Sequence, residues 1–227
     1  VHAELVDLRV LGTTDVHAFI EEGDVLEGGG WLRLATLIRK ERGEAGADHT
    51  ILIDCGDSVQ GTLVGRQSRG QVGIDLLKFL AYDVWVPGNH ELDFGVERLW
   101  EMGRALPDMV LCGNLRLRVA GEWEDFRGWR VIERGGAKVV VIGATASYMG
   151  NWFWGDGYDG FATDSARSML EEQLPAIHRE EADLIVLAIH QGWMPTDERR
   201  VNEVAAIAQR FPEIDLILGG HTHWEQE

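Results

Sequence analysis

The sequence has few prolines, few cysteines and no long apolar segment. Its 227 residues include 5 prolines and 2 cysteines. Cys55 and Cys112 each lie in or beside an apolar run, which favours buried free thiols over a disulfide or a metal pair. No apolar run approaches the roughly 20 residues that a membrane-spanning helix needs, so no membrane span is expected. No signal peptide is visible from Val1 onward, and these features leave the compartment open.

Basic side chains are also scarce relative to acidic ones. Lysine and arginine number 21 against 38 aspartates and glutamates, which gives a net charge of −17. A surface of this charge repels phosphate backbones, which argues against a long nucleic acid as ligand and against a nuclease acting on long DNA. Hydrophobic residues make up 45% of the chain, so a packed globular fold is expected, and the length allows one large domain or at most two small ones.

Short, continuously apolar segments alternate with helical patterns. This order predicts an α/β fold whose strands are buried on both faces. The predicted strands are Leu8–Thr13, Thr50–Cys55, Val84–Val86, Met109–Cys112, Arg130–Glu133, Lys138–Ala144, Leu184–Ile189 and Leu216–Leu218. The predicted helices are Trp31–Arg42, Val72–Ala81, Val96–Ala105, Ser165–Arg179 and Glu198–Arg210. The dipeptide Gly135-Gly136 predicts a tight hairpin turn.

Two long loops are predicted. Ala18–Gly30 contains acidic residues and three consecutive glycines, and Ser147–Asp164 is rich in aromatic residues. Its aromatic side chains are Tyr148, Trp152, Phe153, Trp154, Tyr158 and Phe161. They could stack on a base or form a lid, or they could pack over the end of the sheet.

Five of the predicted strands end in residues that commonly bind metals. The segments are Asp15-Val16-His17, Gly56-Asp57, Gly88-Asn89-His90-Glu91, His190, and Gly220-His221-Thr222-His223. Ligands of open α/β sheets bind at the carboxyl ends of strands, so these segments are expected to converge. A lone histidine after a strand is usually structural. Several carboxylates and imidazoles together, with no lysine or arginine among them, would be costly without bound dications.

These five segments resemble the calcineurin-like metallophosphoesterase superfamily, whose pattern is D-x-H, G-D, G-N-H-[D/E], H and G-H-x-H. Gly88–Gly95, which reads G-N-H-E-L-D-F-G, is similar to the 5′-nucleotidase and 2′,3′-cyclic nucleotide phosphodiesterase branch. Further similarity to this branch lies in Gly29–Thr36, Cys112–Leu115 and Ile189–Gly192. The resemblance covers about Leu8 to His223. It implies a layered αββα metallophosphatase sandwich of mixed sheets flanked by helices.

The resemblance also implies an incomplete catalytic unit. Enzymes of this branch continue past G-H-x-H with further strands and a C-terminal nucleotide-binding domain, whereas this sequence ends four residues after His223. Residues 1–227 are therefore expected to be a catalytic domain that lacks those parts, and a minimal phosphoesterase is the alternative. Family resemblance implies a periplasmic or secreted location.

The resemblance assigns most of the site residues. One metal would be held by Asp15, His17, Asp57 and His223, and the second by Asp57, Asn89, His190 and His221, with Asp57 as the bridge. Mixed N and O ligands suit Mn, Zn, Fe or Co. His90 would stabilise the phosphoryl group or protonate the leaving oxygen, with Asp93 orienting its ring; Asp93 could instead satisfy a helix N-terminus. Arg33 and Asn114 are weaker candidates for substrate binding, and Arg33 could be purely structural.

The implied activity is hydrolysis of phosphate esters, most simply of nucleotides, by a hydroxide that bridges two divalent metal ions. The expected partner is a small phosphorylated substrate. A phosphatase with broad specificity for small phosphate esters remains an alternative, as does a non-catalytic binding domain on the same fold. Such a binding domain should have lost several of the metal ligands, and none is missing here.

Overall fold

A computed structural model describes residues 5–21, 30–151, 160–194 and 201–223. Its strands are β1 Arg9–Thr13, β2 Thr50–Asp54, β3 Val84–Trp85, β4 Leu115–Val119, β5 Glu122–Asp125, β6 Trp129–Arg134, β7 Ala137–Ala144, β8 Phe161–Thr163, β9 Leu184–Ile189 and β10 Leu216–Leu218. Its α-helices are α1 Trp31–Ala45, α2 Leu63–Gln67, α3 Gln71–Phe79, α4 Val96–Ala105, α5 Ala166–Ile177 and α6 Val204–Arg210.

The strands form three sheets. The first sheet is parallel, in the order β1-β2-β3. The second has the order β10-β9-β7-β6, in which β10, β9 and β7 are parallel and β6 is antiparallel. A smaller antiparallel sheet has the order β5-β4-β8. The parallel strands of the two larger sheets present their carboxyl ends to the site described below.

The two larger sheets pack face to face, and helices cover their outer faces. Ile51 and Ile53 of β2 belong to the same buried cluster as Val139 and Val141 of β7. The intervening residue Leu52 points the other way and joins a cluster with α1, α3 and α4. Residues of β7 and β9 likewise join a third cluster with α5 and α6. Each central strand is therefore apolar on both faces, and the predicted αββα arrangement is confirmed.

Several predicted elements are confirmed, two differ in extent, and β4, β5, β8 and α2 were not predicted. Gly135 and Gly136 both adopt positive φ, at 57° and 88°, and join β6 to β7 as the predicted hairpin. The predicted strand Met109–Cys112 is wrong in extent, because only one bridge, between Trp85 and Val110, forms there. The backbone N–H of Cys112 donates instead to the carbonyl of Arg127.

The predicted helix Glu198–Arg210 begins later than expected, at Val204. Residues 198–200 lie outside the described residues. Asn202 and Glu203 are not helical, because their polar groups bond to the loop that follows β9. The side chain of Asn202 accepts from Gly192 N at 3.0 Å, and the backbone N–H of Glu203 donates to Gln191 Oε1 at 2.6 Å.

The predicted aromatic loop contains a strand, β8, within which Phe161 is 8% exposed and packs in a core cluster. Trp152, Phe153, Trp154 and Tyr158 lie outside the described residues, as do residues 22–29 of the other predicted loop. The helices of the described ranges are all too short or too polar to cross a bilayer.

Candidate metal centre

The predicted ligands lie on the loops that leave β1, β2, β3, β9 and β10. The loops after β1 and β2 run side by side and continue the parallel pairing of their strands. Asp15 N donates to Gly56 O at 2.8 Å, and His17 N donates to Asp57 O at 2.9 Å. Because backbone bonds fix both loops, their side chains are held at defined positions before any ligand binds.

The backbone at these ligands is strained. Positive φ angles occur at Asp15 (53°), His17 (50°), Asp57 (54°), His221 (74°) and His223 (53°). Residues other than glycine rarely adopt this left-handed conformation, and such strain concentrates at functional sites. The five angles therefore support a functional role for these loops independently of side-chain chemistry.

Two glycines allow the β2 and β3 loops to approach closely. Gly56 has φ of 98°, and a Cβ on it would lie 2.5 Å from Gly88 N. A Cβ on Gly88 would lie 2.3 Å from Asp57 Oδ1 and 2.6 Å from Asp57 N. A side chain at Gly88 would therefore displace Asp57, and one at Gly56 would displace the loop of Gly88.

The first group of potential ligands consists of Asp15, His17 and His223, whose ligand atoms all lie within 4.8 Å of one another. His17 Nε2 faces His223 Nε2 at 3.3 Å, and His223 Nε2 lies 3.2 Å from Asp15 Oδ1. His17 Nδ1 lies 3.0 Å from the carbonyl oxygen of Gln60. Since a carbonyl only accepts, Nδ1 carries a proton, and this contact orients the ring so that Nε2 is directed at this group.

The second group consists of Asp57, His190 and His221, again within 4.8 Å of one another. His190 Nε2 lies 3.1 Å from Asp57 Oδ2 and 3.1 Å from Asn89 Oδ1. His190 Nδ1 lies 2.7 Å from the carbonyl oxygen of Cys55, which fixes the ring so that Nε2 points into the group. The structure therefore also brings Asn89 to this group.

The two groups are neighbours. Asp15 Oδ2 of the first group accepts from the backbone N–H of His221, a residue of the second, at 2.8 Å. The rings of His17 and His90 are 5.4 Å apart, and His90 N donates to Asp57 Oδ1 at 2.8 Å. Asp57 lies in the second group only, so a bridging role for its carboxylate remains a proposal.

The protonation of the second group reflects its crowded negative charge. Burial acts to raise the pKa of Asp57, but the charge and hydrogen bond of His190 outweigh burial and lower it. Burial acts to lower the pKa of His190, whereas the charge and hydrogen bond of Asp57 raise it to about 9. Burial and the charge of His190 lower the pKa of His221 to about 4. Without a bound cation, the negative charges of Asp57, Asp15 and Glu91 therefore keep His190 protonated.

The residues present fit divalent cations. Asp15 Oδ1 is buried and accepts no hydrogen bond, although a buried carboxylate oxygen normally has a partner. It faces the Nε2 atom of His223 in the first group. In the second group, a cation would replace the proton that the carboxylates hold on His190. Carboxylate, amide and imidazole ligands without thiolate suit several transition metals.

His90 and Asp93 form the predicted pair. His90 Nδ1 lies 2.9 Å from Asp93 Oδ2, within the short 3-10 helix His90–Phe94. The hydrogen bond that His90 donates to Asp93 raises the pKa of His90, burial opposes the rise, and the charge of Asp57 adds to it. The side chain of His90 is 40% exposed and can therefore reach a bound molecule.

The two weaker candidates have different surroundings. Arg33 is exposed in the first turn of α1. Asn114 is 1% exposed, and its side chain donates to the carbonyls of Thr145 and Asp164 while accepting from Thr145 N. Those bonds use both ends of the amide and join β4 to β7. Substrate binding by Arg33 and Asn114 remains a prediction.

Sequence reasoning did not assign roles to two buried carboxylates at the site. Asp54, at the end of β2, accepts from Thr13 Oγ1, Ser58 Oγ and Gly56 N. Glu91 accepts from backbone N–H groups of the β2 and β3 loops. Burial raises the pKa of Asp54 to about 6, and burial together with the charge of Asp57 raises that of Glu91 to about 7. The sequence contained a signal for both residues: Asp54 is the last residue of a buried strand, and Glu91 stands two positions after the proposed ligand Asn89.

Comparison with protein-family models decides the family. The model of the calcineurin-like phosphoesterase family matches residues 8–225. The chain belongs to the calcineurin-like phosphoesterase family. This family uses divalent metal ions. The resemblance found in the sequence is thereby confirmed.

Similar proteins include nucleotidases. The chain is 25% identical over 243 residues to the 2′,3′-cyclic-nucleotide 2′-phosphodiesterase/3′-nucleotidase of Haemophilus influenzae, covering 96% of this chain and 36% of that protein. It is 28% identical to the snake venom 5′-nucleotidase of Naja atra, covering 96% of this chain and 41% of that protein. A crystal structure of the 5′-nucleotidase precursor from Thermus thermophilus matches with a TM-score of 0.79 and 25% identity, covering 95% of this chain and 42% of that one.

The matches cover nearly all of this chain but less than half of each relative. Nearly all of this chain aligns, but it spans only about two fifths of the length of these phosphoesterase relatives. The aligned part contains both groups of potential metal ligands, from Asp15 to His223.

Proposed function

We propose that this chain is the catalytic unit of a hydrolase that cleaves phosphate esters of nucleotides, as a 5′-nucleotidase or a 2′,3′-cyclic nucleotide phosphodiesterase does, at a centre for two divalent metal ions. The observation that carries the proposal is the pair of neighbouring ligand groups, Asp15 with His17 and His223, and Asp57 with His190 and His221. Asn89 lies beside the second group. The nucleotidases among the similar proteins support a nucleotide as substrate.

The proposed metal ligands are the seven named from the sequence. Asp15, His17 and His223 would hold one ion, and Asn89, His190 and His221 the other, with Asp57 shared between them. Two bound ions would supply positive charge to the phosphoryl oxygens and increase the acidity of a coordinated water. Mn, Zn, Fe and Co are all compatible with these ligands.

The other side chains and backbone carbonyls of the proposed site would orient the metal ligands and act on the substrate. The contacts of His17 Nδ1 with Gln60 O and of His190 Nδ1 with Cys55 O orient both rings, so that their Nε2 atoms are available as ligands. His90 would donate a proton or hydrogen bond to the phosphate or to the leaving oxygen. Asp93 accepts from His90 Nδ1 and would keep that ring in a donating orientation.

Three substrates test the proposal. The full-length protein, loaded with Mn²⁺, is assayed with 5′-AMP, 2′,3′-cyclic AMP and p-nitrophenyl phosphate. Hydrolysis of either nucleotide in clear preference to p-nitrophenyl phosphate supports the nucleotidase proposal. Equal hydrolysis of all three indicates a phosphatase with broad specificity. No hydrolysis of any of them, despite bound metal, would contradict the enzymatic proposal and favour a binding domain.

A matched pair of variants ties activity to the site. His221→Asn removes a proposed ligand, whereas His178→Asn makes the same change at an exposed histidine beside Glu213. Loss of both metal and hydrolysis in the first variant, with neither lost in the second, is expected. Full activity in His221→Asn would remove this histidine from the proposed ligand set.

A further inference from the structure

Glu91 makes an unusual set of contacts for a glutamate. Its side chain is fully buried, and both carboxylate oxygens accept from backbone N–H groups. Oε2 accepts from Asp57 N at 2.9 Å and from Gly88 N at 2.6 Å. Oε1 accepts from Ser58 N at 2.8 Å and from Val59 N at 3.3 Å. The carboxylate therefore connects two loops that follow different strands.

These contacts require both terminal atoms of the side chain, Oε1 and Oε2, to be hydrogen-bond acceptors. An ionised carboxylate has two oxygens that only accept. A glutamine has the same shape, but its NH₂ group would take the place of one carboxylate oxygen and leave the two N–H groups that donate to that oxygen without an acceptor. Buried N–H groups without partners are costly, so one of the loops would have to move.

Each of the two loops that Glu91 connects carries a proposed metal ligand. Asp57 itself donates its N–H to Glu91 and has a strained backbone, with φ of 54°. Gly88 directly precedes Asn89, whose Oδ1 lies near His190 Nε2. A shift of either loop would change the position of Asp57 relative to Asn89.

The electrostatic cost of Glu91 also points to a task. Its charge is buried next to the proposed ligand Asp57, so the two carboxylates repel each other. An acidic side chain at this position therefore has an electrostatic cost, which its four backbone hydrogen bonds must offset. The motif residue Glu91 has no proposed contact with substrate or metal, which leaves positioning as its task.

We propose that Glu91 is a positioning residue that fixes the Asp57 and Asn89 loops in the arrangement needed for tight metal binding. The inference rests on the proposed metal centre. Replacing Glu91 is expected to weaken the binding of the metal ion that Asp57, Asn89, His190 and His221 would hold. Groups that orient metal ligands indirectly typically contribute about 10–100-fold to metal affinity.

The test compares Glu91→Gln with Glu97→Gln, the same chemical change at an exposed residue in the first turn of α4. Mn²⁺ binding to the full-length proteins is measured by calorimetry, and the bound ions are examined by electron paramagnetic resonance. Measurements are made well below the melting temperature, on protein whose near-ultraviolet circular dichroism matches the wild type. A purely structural role would lower the melting temperature and leave the Mn²⁺ affinity of the folded protein unchanged.

The expected result is about 10–100-fold weaker Mn²⁺ binding by Glu91→Gln, with loss of the signal of a coupled manganese pair, and wild-type behaviour of Glu97→Gln. Folded Glu91→Gln that binds two Mn²⁺ with wild-type affinity would overturn the inference. Should Glu91→Gln not fold, Glu91→Asp decides, because it keeps the charge but has a shorter reach; wild-type affinity in that variant also overturns it.

The outcomes for Glu91 and for the proposed function are distinguishable. Wild-type protein that binds two Mn²⁺ but hydrolyses no phosphate ester contradicts the proposed function and leaves the comparison of variants valid. Active wild-type protein with unchanged binding by Glu91→Gln contradicts the inference alone. Wild-type protein that binds none of the compatible ions of Mn, Zn, Fe and Co contradicts both.

Discussion

The imidazole of His90 and the carboxylate of Asp93 are hydrogen-bonded, with 2.9 Å between Nδ1 and Oδ2. The two residues are three positions apart in the 3-10 helix His90–Phe94, which places both side chains on one side of the turn. A carboxylate accepts only, so Nδ1 of His90 carries the proton. The other ring nitrogen is then available to a bound molecule.

Replacing His90 with Asn should abolish most turnover without removing metal. His90 is proposed as an acid or hydrogen-bond donor, and such groups typically contribute about 10²–10⁴-fold to the rate. We expect kcat to fall by about this factor while elemental analysis finds the wild-type metal content. Loss of metal from His90→Asn would mean that His90 is itself a ligand.

Replacing Asp93 with Ala should have a smaller effect in the same direction. We expect kcat to fall by about 10-fold or more, because the His90 ring loses the partner that orients it. The double variant His90→Asn, Asp93→Ala should be no slower than His90→Asn alone, since Asp93 acts through His90. Asp48→Ala, the same change at an exposed aspartate, is the control and should leave kcat unchanged. If the losses of kcat in the two single variants add up in the double variant, Asp93 acts independently of His90.

Replacing Gly88 with Ala should disable the site by steric displacement. The added Cβ would lie 2.3 Å from Asp57 Oδ1, and the loop of Asp57 is held by its backbone bonds. Misplacement of about 1 Å at a reacting centre can cost about 10²-fold in rate, and we expect a loss of kcat/KM of that order.

Gly43→Ala provides the control for Gly88→Ala. Gly43 lies inside α1, and apart from its own helix backbone nothing lies within 4 Å of an added Cβ. We expect unchanged kcat/KM and a free energy of unfolding higher by about 0.5–1 kcal/mol, because alanine is the better helix former. Equal activity of both variants would show that the close approach of Gly88 to Asp57 is not needed.

Replacing Glu203 with Gln should lower stability at neutral pH more than in acid. Glu203 is 4% exposed and accepts from Ser147 Oγ, Ser165 Oγ, Ala166 N and Arg167 Nε. Burial acts to raise the pKa of Glu203, but these hydrogen bonds outweigh burial and lower it. At pH 7 we expect the variant to lose about 1–3 kcal/mol of unfolding free energy.

The pH dependence follows from the lowered pKa. The unfolded chain takes up the proton first, near the usual glutamate pKa of about 4.3, so the contribution of Glu203 is complete above that pH. It is lost as pH falls through the lower pKa of the folded state. Urea unfolding of Glu203→Gln and wild type between pH 7 and pH 3 should therefore give converging stabilities. A constant or widening difference toward acid would contradict this account.

The sequence predicted the central strands well because their environment is simple. The run Thr50–Asp54 is buried on both faces, so its continuous apolar pattern was informative. Leu115–Val119 was missed because it is not a continuous apolar run: exposed Arg116 and Arg118 alternate with buried leucines, which is the pattern of a strand with one buried face. The site residues converged because parallel strands end at the same edge.

Other features of the site depend on tertiary contacts that no local pattern encodes. Glu91 bonds to Ser58 and Val59, more than 30 positions away in the sequence. The Met109–Cys112 segment has strand composition, but its backbone bonds are divided between different partners. Sequence pattern therefore predicted which residues meet, and the structure was needed to identify what holds them.

Anomalous diffraction from crystals of the full-length protein grown with Mn²⁺ tests the metal centre most directly. We predict two anomalous peaks about 3.5–4 Å apart, the usual separation in two-metal hydrolases. One peak should contact Asp15, His17 and His223 and the other Asn89, His190 and His221, with Asp57 touching both. A single peak, or peaks remote from these residues, would contradict the two-metal account.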